Sequence, residues 1–133
     1  MKPRFRAWDV LAEKMIDEIL MISFVRKEII GKFSDGSTSV PLKFEDERNG
    51  EDVILMQSTG LVDKNGKEIF EGDIVKMSKD VYSEPTYYEV VRHRGGAYRL
   101  ESKQHGCELW LRHTDCEVVG NIYENPELLE DKE

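Results

Sequence analysis

Two histidine–cysteine pairs, His105-x-Cys107 and His113-x-x-Cys116, are the most metal-like pattern in this sequence. Zinc takes about four thiolate or imidazole ligands in tetrahedral geometry. Residues two apart share a strand face, so a hairpin could bring the pairs together. The spacing matches no common zinc module, and cysteines of a half-buried β core account for it better. No metal or other cofactor is expected. Glu68, Glu71 and Asp73 cluster around one turn and could hold a hard cation or work as an acid–base pair. The plainer reading has Asp73 accepting hydrogen bonds from turn amides, with the glutamates solvated. Nucleophilic catalysis lacks a Gly-x-Ser-x-Gly elbow and a cysteine in an evident electropositive setting. His93, His105 and His113 share a third of the chain with Ser102, Cys107 and Asp115, which by itself makes no triad. There is no glycine-rich phosphate loop. The chain does not read as an enzyme.

A second constellation could bind rather than react. Arg92, His93, Arg94, Tyr98, Arg99, Lys103 and Arg112 interleave cations with aromatics, a mixture with which small barrels grip single strands. Glu84, Glu89, Glu101, Glu108 and Asp115 lie among them, so residues 81 to 116 sum to zero charge. The whole chain of 133 residues carries 27 acidic and 19 basic side chains, a net −8. The excess sits in residues 51 to 80 and 117 to 133. That balance argues against tight nonspecific nucleic-acid binding, and a face of mixed sign is ordinary for a soluble domain. Contact with nucleic acid through Arg92, Arg94, Tyr98, Arg99 and Arg112 is kept as the alternative reading.

The elements that would position these groups are short strands and turns. Leu55 to Lys76 organises the chain, because Asn65-Gly66 is a strong turn signal and Gly60 marks a bend. Gly72 sets the angle at which the chain enters the strand Asp73 to Ser78. Phe5 to Trp8 has the period of a half-buried strand, with Trp8 on the arginine side and packed over the Arg4 and Arg6 stems. Val10 to Ile22 is ambiguous: Leu11, Met15, Ile19 and Ile22 recur at helical spacing, yet Ile19 to Val25 is rich in strand formers. Arg26 to Ile30 is expected as a strand end or connector. Val53 to Gln57, apolar on both faces, is the best candidate for a central strand. Thr86 to Arg94 and Ala97 to Glu101 are strands around Gly95-Gly96. Glu108-Leu109-Trp110-Leu111-Arg112 alternates, and Cys116 to Tyr123 closes the β part. Asn125-Pro126 starts a short terminal helix, with Asn as cap and Pro at the first position.

Three segments resemble the YopX family of phage and prophage proteins. They are Phe5-Arg6-Ala7-Trp8-Asp9, the run from Leu55 through Thr59-Gly60-Leu61 and Asp63-Lys64-Asn65-Gly66 to Glu71-Gly72-Asp73-Ile74-Val75, and Val119-Gly120-Asn121-Ile122-Tyr123-Glu124-Asn125-Pro126. The family signature falls on Trp8, Gly60, Asn65, Gly66, Gly72, Asp73, Gly120 and Asn121. The resemblance implies a small, mostly β protein with no established catalytic residues, and a hairpin with its turn over Asp9 to Lys14. Residues 10 to 22 are therefore read as β.

The expected fold is mainly β. An N-terminal β portion (1–58) precedes a small SH3-like barrel-type portion (59–133) with a short C-terminal helix, or both form one continuous domain over 5–130. The two cysteines make no disulfide framework. Lys2, Arg4, Arg6 and Asp9 break any secretory apolar core, and no apolar run approaches a membrane span. A phage accessory protein in the cytoplasm of a bacterial host is expected. It would act through protein contacts, with a partner or as a homo-oligomer, using Val53 to Gln57 and either tryptophan if exposed.

Overall fold

The computed structural model describes residues 4–46, 48–78, 84–93, 95–103 and 105–130. The chain is mainly β and divides into two compact units, Met1–Gln57 and Ser58–Glu133.

The first unit is an antiparallel sheet in the order β4-β3-β2-β1-β5. Its strands are β1 (Phe5–Asp9), β2 (Lys14–Ser23), β3 (Glu28–Phe33), β4 (Leu42–Lys43) and β5 (Val53–Val62), the last continuing into the second unit. The ambiguous segment is strand: the Asp9 carboxylate accepts the Ala12 N–H at 2.9 Å, and the Asp9 carbonyl accepts the Glu13 N–H. These bonds make one helix-like turn over residues 10–13, which Glu13 at φ +54° ends, and the strand begins at Lys14. The sheet then sets Ala7 opposite both Ile16 and Leu55. Ala7, Ile16, Ile29, Phe44 and Val53 form the core.

Three expectations are corrected here. β1 is buried on both faces rather than half-buried, with Arg6 and Trp8 each 9% exposed. Pairing with β2 and β5 closes only its edges; the low exposure of Arg6 and Trp8 on one face and of Ala7 and Asp9 on the other means that side chains cover both faces. Arg26 to Ile30 is no connector. Phe24 to Lys27 form the turn, and Glu28 opens a six-residue strand that pairs with Ile16 to Ser23. Finally, Val53 to Gln57 is less deeply set than a central strand: Val53 and Met56 are buried, Ile54, Leu55 and Gln57 are half-buried, and β1 pairs along one edge.

The second unit is an antiparallel sheet in the order β10-β9-β8-β7-β11. Its elements are β6 (Glu68–Phe70), β7 (Asp73–Met77), β8 (Thr86–Arg92), β9 (Tyr98–Glu101), β10 (Gly106–Glu108), α1 (Leu109–Arg112), β11 (Glu117–Asn121) and a 3₁₀ turn over Pro126–Leu129. Strand alternation sends Tyr88, Val90 and Leu100 inward, where they meet Ile69, Val75, Met77, Leu109 and Cys116. The alternating run Glu108 to Arg112 is not a strand past Glu108. Leu109 turns into a single helical turn that buries its own side chain completely and leaves Trp110 and Leu111 outside. A two-residue period cannot be told from one buried leucine per turn in so short a run. Asn125 does not cap the terminal turn with its side chain; its Oδ1 accepts the Asn121 N–H at 3.3 Å instead.

Close packing in the first unit makes a quantitative test. A methyl group built on Gly31 would overlap the Ile16 side chain and crowd the Glu18 carbonyl. Overpacking of this kind costs about 1–3 kcal/mol. Gly31→Ala is expected to lower the urea midpoint accordingly, and an unchanged midpoint would show that β2 and β3 are not held this closely.

Candidate functional site

The signature residues converge on backbone amides. The Asp63 carboxylate is 4% exposed. Its Oδ1 accepts the N–H groups of Asn65 at 2.8 Å and Lys67 at 2.9 Å, and its Oδ2 accepts the N–H of Val118 at 2.9 Å. Asn65-Gly66 supplies the tight turn between those donors, with Gly66 at φ +81°. Burial alone would raise the Asp63 pKa, but three amide hydrogen bonds outweigh it and hold the carboxyl below its ordinary value. Asp73, 1% exposed, accepts the Phe70 N–H at 2.8 Å, as the turn reading of that residue expects. Asn121 Oδ1 accepts the N–H groups of Tyr123 at 3.0 Å and Glu124 at 2.8 Å, while its Nδ2 donates to Glu124. Gly120 has no room for a side chain, because a Cβ there would collide with Asn125. Gly60 lies within β5, where the register with β6 shifts between Ser58 and Val62, and Gly72 precedes β7 with φ +87°. Trp8 is a core residue of the first unit. These residues build turns and place no reactive group in a cleft.

The cationic constellation is laced with carboxylates. Arg92 lies 3.9 Å from Glu71, and Arg112 lies 3.0 Å from Asp115. Arg99 pairs with Glu101 at 3.5 Å and more closely with Glu108. Tyr98 is half-buried, and burial followed by the Glu71 charge pushes its hydroxyl pKa up. Arg94 lies outside the described residues. The described arginines of this set therefore face internal partners rather than an open positive groove.

The histidine–cysteine pairs are likewise occupied. His113 Nδ1 is 2.7 Å from the Val62 carbonyl, so it carries the proton and donates. The Cys116 thiol donates to the Arg112 carbonyl at 3.3 Å, and burial pushes its pKa to about 12. Burial also raises Cys107. Thiols held protonated are poor nucleophiles. Among the described residues, no three His, Cys, Asp or Glu side chains gather as a metal site would require. The Ser102 hydroxyl bonds with the backbone of His105, and Asp115 with Arg112, so neither forms part of a triad.

Two large apolar side chains also face outward in this unit. Trp110 is 64% exposed and Leu111 57% exposed on the same turn of α1. The His113 hydrogen bond ties that corner to Val62, itself partly exposed.

A family model described as YopX protein matches residues 4–130, nearly the whole chain. The chain belongs to the YopX family. It is similar to two solved structures. Protein EF1440 from Enterococcus faecalis is 32% identical, with 98% of this chain and 99% of that one covered and a TM-score of 0.66. Protein yopX from Bacillus subtilis is 28% identical over 97% of each chain, with a TM-score of 0.63. No curated protein matches the chain. The YopX signature on this chain is thus a set of turn-forming residues. Sequence reading missed its most connected member, Asp63, although Asp-x-Asn-Gly is itself the pattern of a side chain accepting amides from the turn it starts.

Asp63→Asn replaces one acceptor oxygen with a donor facing an amide donor. A buried hydrogen bond to a charged group contributes about 1.5–3 kcal/mol, and a loss of that size is expected in chemical denaturation. The folded Asp63 pKa lies below the ordinary 3.8. Its contribution is therefore complete above that pH and disappears as the pH falls through the lower, folded value. The variant should lose part of the acid-induced drop in stability between pH 5 and 2 (about the range in which aspartates titrate). An acid limb identical to the native one would refute this role for Asp63.

Proposed function

We propose that this protein is a phage or prophage accessory protein that works in the cytoplasm of a bacterial host. It performs no catalysis and acts by contact with another protein or with itself. The observation that carries this reading is the exposure of Trp110 and Leu111 together on one helical turn. Tryptophan is enriched at the centres of interfaces, where it contributes large contact area, and a folded chain gains nothing by wetting two such side chains side by side. Two further features support it. The acidic residues of the signature are committed to turn amides, and both thiols are held protonated. The described arginines of the nucleic-acid alternative each lie beside a carboxylate, which weakens that alternative.

Replacing both residues, Trp110→Ser with Leu111→Ser, separates surface from fold. The native protein is expected to cross-link to a partner or to itself, and the double variant to lose that product at an unchanged melting temperature. Loss of a central tryptophan costs about 2 kcal/mol or more in a contact of this kind. A native protein that is monomeric and cross-links to nothing in host extract would overturn the reading. Single-stranded DNA binding that weakens steeply with salt would favour the alternative.

A further inference from the structure

The outer face of β8 and β9 carries a like-charge pair. Glu89 stands directly opposite Glu101 in the sheet register, an arrangement that destabilises a strand pair. The Glu101 charge is met by His93 at 3.0 Å and Arg99 at 3.5 Å. Glu89 is half-buried and makes no ion pair among the described residues. Burial, and then the Glu101 charge, push its carboxyl pKa up. Both glutamates line a groove of about 480 Å³ whose other walls include Tyr87, Leu128 and Leu129. The groove thus has an apolar side and three carboxylates, Glu89, Glu101 and Glu130, against one cation of its own lining, Lys103.

The first unit presents the complementary chemistry. The turn between β2 and β3 exposes Phe24 to 60% and Val25 to 97%. Arg26 follows, exposed, its backbone N–H fixed by Ser23 Oγ at 3.1 Å and its guanidinium in no ion pair among the described residues. Its neighbour Lys27 is already held by Glu45 at 2.9 Å. Val25 is the most exposed large apolar side chain among the described residues, and the cation beside it is uncommitted. A guanidinium offers a planar fork that suits two carboxylates better than an ammonium does.

We infer that the β8–β9 groove receives the Val25-Arg26 turn of a second copy of this chain, with Arg26 between Glu89 and Glu101 and Val25 against Leu128, Leu129 and Tyr87. The inference rests on the reading of the chain as a contact protein but uses a surface separate from Trp110 and Leu111. The contact joins unlike surfaces, so it is head-to-tail and continues into a ring or an open chain rather than stopping at a symmetric pair.

Sedimentation velocity of the full-length protein over a wide concentration series tests it, using the native chain, Arg26→Glu and Glu89→Lys. Arg26 lies on an exposed turn, and Glu89→Lys places opposite charges across the strands, so both variants should melt no lower than the native protein. The native chain is expected to associate. Each variant alone should weaken association about tenfold or more, the usual consequence of losing a charge-assisted hydrogen bond. An equimolar mixture should regain it, because the native turn of Glu89→Lys still meets the native groove of Arg26→Glu. Val25→Ser should weaken association with no charge change. A native chain monomeric throughout, association indifferent to Arg26→Glu, or a mixture that stays dissociated would each overturn the inference. Association lost only in the Trp110 and Leu111 double variant would overturn it while leaving the contact reading intact. A synthetic basic peptide binding the groove while the native chain remains monomeric would assign the groove to a different protein and overturn it as well.

Discussion

The second unit depends on one carboxylate. Asp63 joins two stretches far apart in sequence, the turn after β5 and the strand β11, by accepting amides from both. The adjacent Lys64 N–H donates to the Cys116 carbonyl and extends the same link. Asp63 itself is buried while Asn65 and Lys67 are exposed and Val118 is half-buried, so the three bonds chiefly satisfy the buried carboxylate, a charge that costs far more to bury without them. Because the oxygens are shared among three donors, their loss cannot be repaired by one rotamer change or by a single water. The Asn65-Gly66 turn matters for the same reason: it points two of those donors at one side chain.

The device recurs through the chain. Asp9 accepts the Ala12 amide at the β1–β2 turn, Asp73 the Phe70 amide, and Asn121 the amides of Tyr123 and Glu124. Short polar side chains that start or close turns satisfy donors that neither sheet can reach. All three family motifs contain one of these residues. What the motifs hold in common across the chain is therefore turn construction, and the two buried carboxylates of the middle of the sequence, Asp63 and Asp73, are committed to it.

Turn chemistry was the legible part of the sequence. Asn65-Gly66 and Gly95-Gly96 are set by local rules that no tertiary context overrode, and the strands beside them follow; the Asp9 to Lys14 turn was legible only through the family resemblance, because the residue spacing there also fits a helix. Three things were less legible because they are decided by neighbours distant in sequence. β1 looked half-buried, since nothing local reveals that side chains cover both its faces. Leu109 to Arg112 looked like a strand, since one buried leucine fits either period. The mixed sign of residues 81 to 116 was legible, but the pairing was not: the cross-strand register is what sets Glu108 opposite Arg99. The exposure of Trp110 but not Trp8 likewise has no local signature.

β11 is an outer strand of its sheet, with its register shifted between Val118 and Gly120. The Val118 N–H, which an incoming strand would need, already belongs to Asp63. Three other margins are brief: β4 has two residues, and β6 and β10 have three each. Blunted margins deny foreign backbone a template on which to zip. A protein rich in short strands can in this way be abundant without seeding amyloid-like fibres, and recognition falls to side chains, whose chemistry can discriminate.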